Sequence, residues 1–299
     1  MTVTSRHQLT TLLLAVVFVA ASQAQTGSYS SVNDPRPEFV AEAIASVCPA
    51  ERIVLDHAGW PSGCQVCPKG SGSAGTANNE WNLQKALSGH FLSAHEDNLL
   101  ISTTGCEPHS LSGPGTFVFR MERDKPEVVN YVPGLITSQC TKAKLPDSRD
   151  TLVCQASWGA QMHEWQFVYA VRFATDGKPV LDRLSQTEDT RMTCGQDEDG
   201  EKRGTVIMAQ IKAVNLALDR DGMLSGVIVD AYRWQRRLPA AEAKACREGR
   251  AFVSITPAKP YKVNFTFDGK HFSVTPETAY ALKAFPEPSF PDIGEAQTE

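Results

Sequence analysis

From Trp81 onward the chain is a succession of short β-rich runs cut by turn residues, and no other feature constrains its fold as much. Runs at 99–102, 116–121, 128–132, 151–154 and 165–173 are followed by others at 205–217, 225–234 and 252–256. Gly, Pro, Asn or Asp separates most of them, and these residues set the backbone angles that turns need. A hairpin closes the series, running through 261–267, turning at Asp268-Gly269 and returning at 271–274. Two short helices interrupt the pattern. One opens at Pro37 behind Asp34 as cap, with Val40, Ile44 and Val47 on one face; the other covers 239–247, rich in Ala240, Ala241, Ala243 and Ala245. Residues 60–80 carry Pro61, Pro68 and Gly70-Ser71-Gly72-Ser73-Ala74-Gly75 and read as loop. The fold class expected is all-β with two short helices.

Where the chain works follows from its beginning and its cysteines. Arg6 and His7 precede an apolar stretch at 12–21, and Ser22-Gln23-Ala24 supplies a small-x-small cleavage site, so residues 1–24 read as a secretory signal. That stretch is about half as long as a bilayer span requires. Its removal leaves 28 basic against 34 acidic residues, and no membrane partner is expected of the mature chain. Such a balance offers no cationic excess to displace counterions, which excludes a general nucleic-acid binder. All eight cysteines follow the signal: Cys48, Cys64, Cys67, Cys106, Cys140, Cys154, Cys194 and Cys246. An even count in an exported chain favours disulfides, and the localisation expected is secreted or periplasmic. Eight cysteines permit on the order of a hundred connectivities. Cys140 and Cys154 flank a polar turn and are expected to face each other across neighbouring strands; Cys194 and Cys246 bracket a long segment free of cysteine and form a second expected pair. The pairing of Cys48, Cys64, Cys67 and Cys106 stays open.

An internal echo organises the β region. A shift of 53 carries Asp97-Asn98-Leu99-Leu100 onto Asp150-Thr151-Leu152-Val153, Val118 onto Val171, and Lys125-Pro126 onto Lys178-Pro179. A shift of 92 carries Phe173 and Asp176-Gly177-Lys178 onto Phe265 and Asp268-Gly269-Lys270. Units of this length with several strands suit a propeller blade, with an insertion near 185–250. Three units are fewer than the roughly four to eight that close a propeller, so a β-sandwich or small barrel is the alternative. Hairpins that merely share turn residues would give the same echo.

Gly89-His90-Phe91 before Asp97-Asn98-Leu99-Leu100, the turn-then-strand at 145–153, and Asp219-Arg220-Asp221-Gly222 within 216–229 resemble FG-GAP or VCBS-type repeats. The resemblance covers roughly residues 82–275 and implies an integrin-α-like β-propeller of the secreted bacterial type. It also implies calcium loops of the form Asp-x-Asp-x-Asp-Gly. Only Asp219 and Asp221, followed by Gly222, keep that spacing, and two carboxylates fall short of the about six to eight oxygens calcium takes. An ordinary Asp/Gly turn is the other reading, and no cofactor is otherwise expected.

Several motifs carry chemistry in other contexts. Cys64-Gln65-Val66-Cys67 has the spacing for thiol–disulfide exchange, yet prolines and glycines flank it where a redox site needs a strand and a helix N-terminus. With Cys106 and His109 the same pair makes a zinc-type ligand set. His90, His95 and Glu96 lie close in sequence, as do His163 and Glu164. Trp60, Trp81, Trp158, Trp165 and Trp234 form a glycan or peptide platform wherever they are exposed; Trp158, beside Gly159 in an expected turn, is the surface candidate, and Trp165 and Trp234 suit a core. The acidic stretch Asp197-Glu198-Asp199-Gly200-Glu201 reads as a loop tip. Asn264-Phe265-Thr266 is a glycosylation sequon inside a strand. No nucleophile elbow, P-loop or zincin motif is present.

The expected organisation is a signal at 1–24, a helix and Cys/Gly-rich region at 25–80, a β-repeat domain at 81–285 and a flexible tail at 286–299. The expected activity is binding of an unknown protein or polysaccharide. A hydrolase using loop carboxylates is the alternative, and a C-x-x-C redox protein stands behind both.

Overall fold

A computed structural model describes residues 35–68, 80–106, 115–123, 125–160, 163–194, 205–250, 253, 258–288 and 293. The expected signal at 1–24, Asp34, His109, the Gly/Ser run at 70–75, the acidic stretch at 197–201 and most of the tail lie outside them.

The protein is mostly β, with two antiparallel sheets, three α-helices and four disulfides among the described residues. The first sheet has six strands in chain order: β1 (Ile53–Leu55), β2 (Pro61–Cys64), β3 (Trp81–Gly89), β4 (Asn98–Gly105), β5 (Thr116–Glu122) and β6 (Lys125–Val132). The second has eight, also in order: β7 (Cys140–Lys144), β8 (Asp150–Ala160), β9 (His163–Phe173), β10 (Pro179–Asp189), β11 (Thr205–Leu218), β12 (Leu224–Arg237), β13 (Lys259–Phe267) and β14 (Phe272–Val274). Within each sheet every strand pairs with its sequence neighbours, because short turns make the adjacent strand the nearest partner. β2 lies within the span expected to be loop, and its pairing with β3 at Cys64 and Trp81 joins the N-terminal region to the β-rich part in one sheet. Where the echo left an insertion, the chain forms β11 and β12, which pair over thirteen register positions. Hydrogen bonding thus groups the strands as six and eight, where a propeller expects separate four-stranded blades.

Alternation along the strands builds the layers. α1 (Pro37–Val47) starts with Pro at its first turn and buries Val40, Ala43 and Ile44 against the first sheet. There Leu99, Ile101, Phe117 and Phe119 face the helix, while Leu100 and Val118 face the opposite way. This is why β4 is apolar through three successive residues: both of its faces are covered. Phe167, Tyr169, Val171 and Phe173 of β9 meet Leu100 and Val118 between the sheets, and Val168 and Ala170 point into a further core. That core is lined from both halves of the eight-stranded sheet, by Leu184, Ile211, Val229, Val263 and Phe265 among others.

The second sheet therefore folds back on itself. A parallel bridge from Lys144, the last residue of β7, to Met223 in the β11–β12 turn fixes the curl. Two small helices cover its openings. α2 (Ala240–Arg247) packs Ala243 against Val206, Met208 and Trp234, and α3 (Ala279–Leu282) places Ala281 in the core. Beyond α3, Ile293 packs half-buried between the two sheets.

Candidate functional site

The eight-stranded sheet divides between β10 and β11. On one side β10 pairs with β9 at ten register positions; on the other it meets β11 only at Asp189 and Met208. A bulge between Arg183 and Ser185 bends β10, and another between Ile211 and Ala213 bends β11, so the strands part after their first contact. Among the described residues, the N-terminal half of β10 is left with an unpaired edge. Beside it lies a cleft of about 310 Å³, lined by Leu181, Asp182, Arg183 and Leu184 of β10 with Phe265 of β13 and Phe272 of β14. That volume is at the lower bound of small-ligand pockets, roughly 300–1,000 Å³.

The charges of the cleft are unequal. Asp182 is engaged by Arg172, whose Nη2 donates to Oδ2 at 2.8 Å. The Arg172 guanidinium lies 5.8 Å from the centre of the Phe267 ring, and its Nε is buried without a hydrogen-bond partner. Arg183 is exposed and has no ionic partner among the described residues. The net charge offered at the rim is therefore positive.

The residues singled out by sequence fall elsewhere. Asp219 Oδ1 accepts the backbone N–H groups of Asp221 and Met223 at 2.9 Å, which fixes the turn into β12. The carboxylate whose spacing suggested calcium thus closes an Asp/Gly turn, the other reading of that motif. Asp147, Asp176 and Asp268 each accept the N–H two residues ahead in three other turns of the same sheet. No cluster of three His, Cys, Asp or Glu is found among the described residues.

The cysteines are joined as Cys48–Cys64, Cys67–Cys106, Cys140–Cys154 and Cys194–Cys246. Cys140 and Cys154 sit opposite each other in register, and Cys194–Cys246 ties the end of α2 to the turn after β10. Cys64 and Cys67 belong to different disulfides, which removes the C-x-x-C exchange pair and leaves no thiolate for zinc. The reason is local: Cys64 ends β2 facing α1, while Cys67 lies beyond the strand and reaches Cys106 past the end of β4.

His90 and His95 lie in the β3–β4 connection rather than on a strand. His90 Nε2 is 3.1 Å from Asp97 Oδ1, and the His90 N–H donates to Asp150 across the two sheets. Trp158 lies inside β8, not in a turn. It stacks on Trp165, which also stacks with His163 at 5.2 Å. Trp81 and Trp234 are core, and Trp60, 45% exposed at the β1–β2 turn, is the exposed tryptophan among the described residues. Sequence reasoning named Trp60 without ranking it first. Asn264 of the sequon has its Oδ1 buried within β13.

For carboxylate catalysis the relevant pair is Glu164 and Asp189, opposite each other in register. Arg191 donates from Nε to both Asp189 oxygens. The hydrogen bond it donates to Asp189 leads in raising the Arg191 guanidinium pKa, and Glu164 adds to it. The Arg191–Asp189 ion pair suits anchoring of the β10 terminus. Compared with protein-family models, curated proteins and solved structures, the chain matches none. Function rests on the site alone.

Proposed function

We propose that this protein is an exported binding module that holds an extended polypeptide segment along the open edge of β10. The carrying observation is the division of the sheet, which leaves β10 paired on one side over ten positions and on the other at one. An unpaired strand edge offers N–H and C=O groups in the spacing another strand needs, and an adjoining pocket selects alternate side chains. The cleft favours an apolar side chain against Leu184, Phe265 and Phe272, with an acidic neighbour at Arg183. Polypeptide is preferred to polysaccharide because an unpaired strand edge is complementary to another peptide backbone. Four disulfides fit an oxidising compartment, and the apolar leader supports a secreted or periplasmic location.

The same reading takes the 53-residue echo as a copied meander, since it carries the starts of β4 and β6 onto those of β8 and β10 and places Val118 of β5 on Val171 of β9. The FG-GAP and VCBS resemblance then reaches the strand–turn unit, with its Asp-capped turns, and not a ring of blades.

A library of labelled ten-residue peptides, read by fluorescence anisotropy, tests the proposal. Bound peptides are expected to carry an apolar residue beside an acidic one, and Arg183→Glu to invert the preference for acid. Failure of every peptide to bind, or binding indifferent to both Arg183→Glu and Phe272→Ala, overturns it. Retention of soluble polysaccharides instead places the ligand in the other class.

A further inference from the structure

Two large apolar side chains stand exposed together near the start of the described residues. Leu55 is 57% exposed and Trp60 45%, both on the hairpin of β1 and β2. Its tip is rigid. Asp56 Oδ1 accepts the N–H groups of Ala58 and Trp60, Asp56 N–H donates to the Trp60 carbonyl, and Gly59 adopts a positive φ that closes the turn. The base is held by Cys48–Cys64 and by the Gln65 N–H donating to the Arg52 carbonyl. An indole presented on a rigid support binds with little loss of conformational freedom, which is why tryptophan dominates so many interfaces. β1 is also the edge strand of its sheet, with one side unpaired.

Knob and cleft occur on one chain, and their charges are complementary. Asp56 is exposed beside Trp60, and Arg183 at the cleft rim is exposed with no ionic partner among the described residues. We propose that the Trp60 hairpin of one copy docks in the β10 cleft of a second copy. Trp60 then meets Leu184, Phe265 and Phe272, β1 lies along β10, and Asp56 faces Arg183. The inference rests on the reading of the cleft as a strand-accepting site and names its occupant. Because the two surfaces differ, the contact is head-to-tail and grows into chains or rings rather than stopping at a two-fold dimer. So small a contact implies association in the weak, transient class.

Sedimentation velocity on the mature protein over a concentration series is the test, with Trp60→Ala and Arg183→Glu as variants. Both positions are exposed, so neither change disturbs the core. The wild type is expected to self-associate, less so at high salt, and each variant alone to associate at least tenfold more weakly. Mixed in equal amounts, the variants keep one intact knob and one intact cleft between them, so the mixture forms dimers that grow no further. A wild type that stays monomeric to about 1 mM, variants that associate as it does, or a mixture that stays monomeric overturns the inference. Peptide binding by Trp60→Ala, which retains the cleft, separates the two readings. If it takes peptide while the wild type stays monomeric, only self-association fails; if it takes none, the strand-accepting cleft fails as well.

Discussion

Asp189 and Met208 form the one register position at which β10 is paired with β11 among the described residues. The contact lies where Asp189 is also gripped by Arg191, so the junction is anchored at one corner and the strands diverge from it. A continuous eight-stranded sheet would have no cleft there. The divided one has an internal edge as well as two outer ones.

Hydrogen exchange follows from that edge. Amides of Leu181 and Arg183 that point away from β9 are expected to exchange as readily as those of a surface loop, whereas those of Val168 and Ala170 in β9 stay protected. Residue-resolved exchange by NMR reads the difference. Equal protection along β10 and β9 would mean that the edge is closed in solution.

The disulfides differ in the length of chain they close. Cys194–Cys246 spans 52 residues and Cys140–Cys154 spans 14. If unfolded-chain entropy dominates, replacing the first pair by serines costs about 1 kcal/mol more than replacing the second. Denaturant titration of the two double variants measures this, and the opposite order would show that local strand pairing outweighs loop closure.

Tyr131 is half-buried against Phe117, and burial pushes its hydroxyl pKa up to about 12, opposed by hydrogen bonding to Thr103 and to the Gly115 backbone. An unfolded tyrosine ionises near about 10. The folded form holds its proton more tightly, so this stabilisation is complete below the unfolded value and is lost as pH rises from there through the folded value. Tyr131→Phe is expected to flatten the loss of stability between these values, measured by urea melts at stepped pH.

At the opposite end of the scale stands Asp268. The backbone N–H groups of His271 and Lys270 hold its carboxyl below the usual carboxylate range. Its contribution is present above the unfolded value of about 4 and disappears as pH falls through the lower folded one. Asp268→Ala is expected to melt below the wild type at neutral pH and to converge with it in acid. A constant gap at all pH values would assign the effect to the turn backbone alone.

The β class was legible because strand runs and turn residues are local signals, and so were α1 and α2 and the Asp268-Gly269 hairpin. The turns explain why the echo was visible: Asp176 and Asp268 accept the N–H two residues ahead in the same way, so similar sequence marks similar turn chemistry. Trp158 was misplaced because Gly159 beside it signals a turn, whereas pairing with β9 carries both through β8. The cleft had no local signature at all. Leu181 and Phe265 are 84 positions apart in the chain, and nothing near either announces the other.

By itself, then, the sequence determined what neighbouring residues decide among themselves: strand or helix, where turns fall, and that the cysteines suit an oxidising compartment. Tertiary structure alone decided which cysteine of the C-x-x-C pair goes where, how fourteen strands divide six and eight, and that β10 parts from β11. The physical reason is range. Turn and strand preferences act within a few residues, while sheet closure depends on which buried faces meet, and here two bulges turn the faces of β10 and β11 so that they pack across a core instead of continuing one ladder.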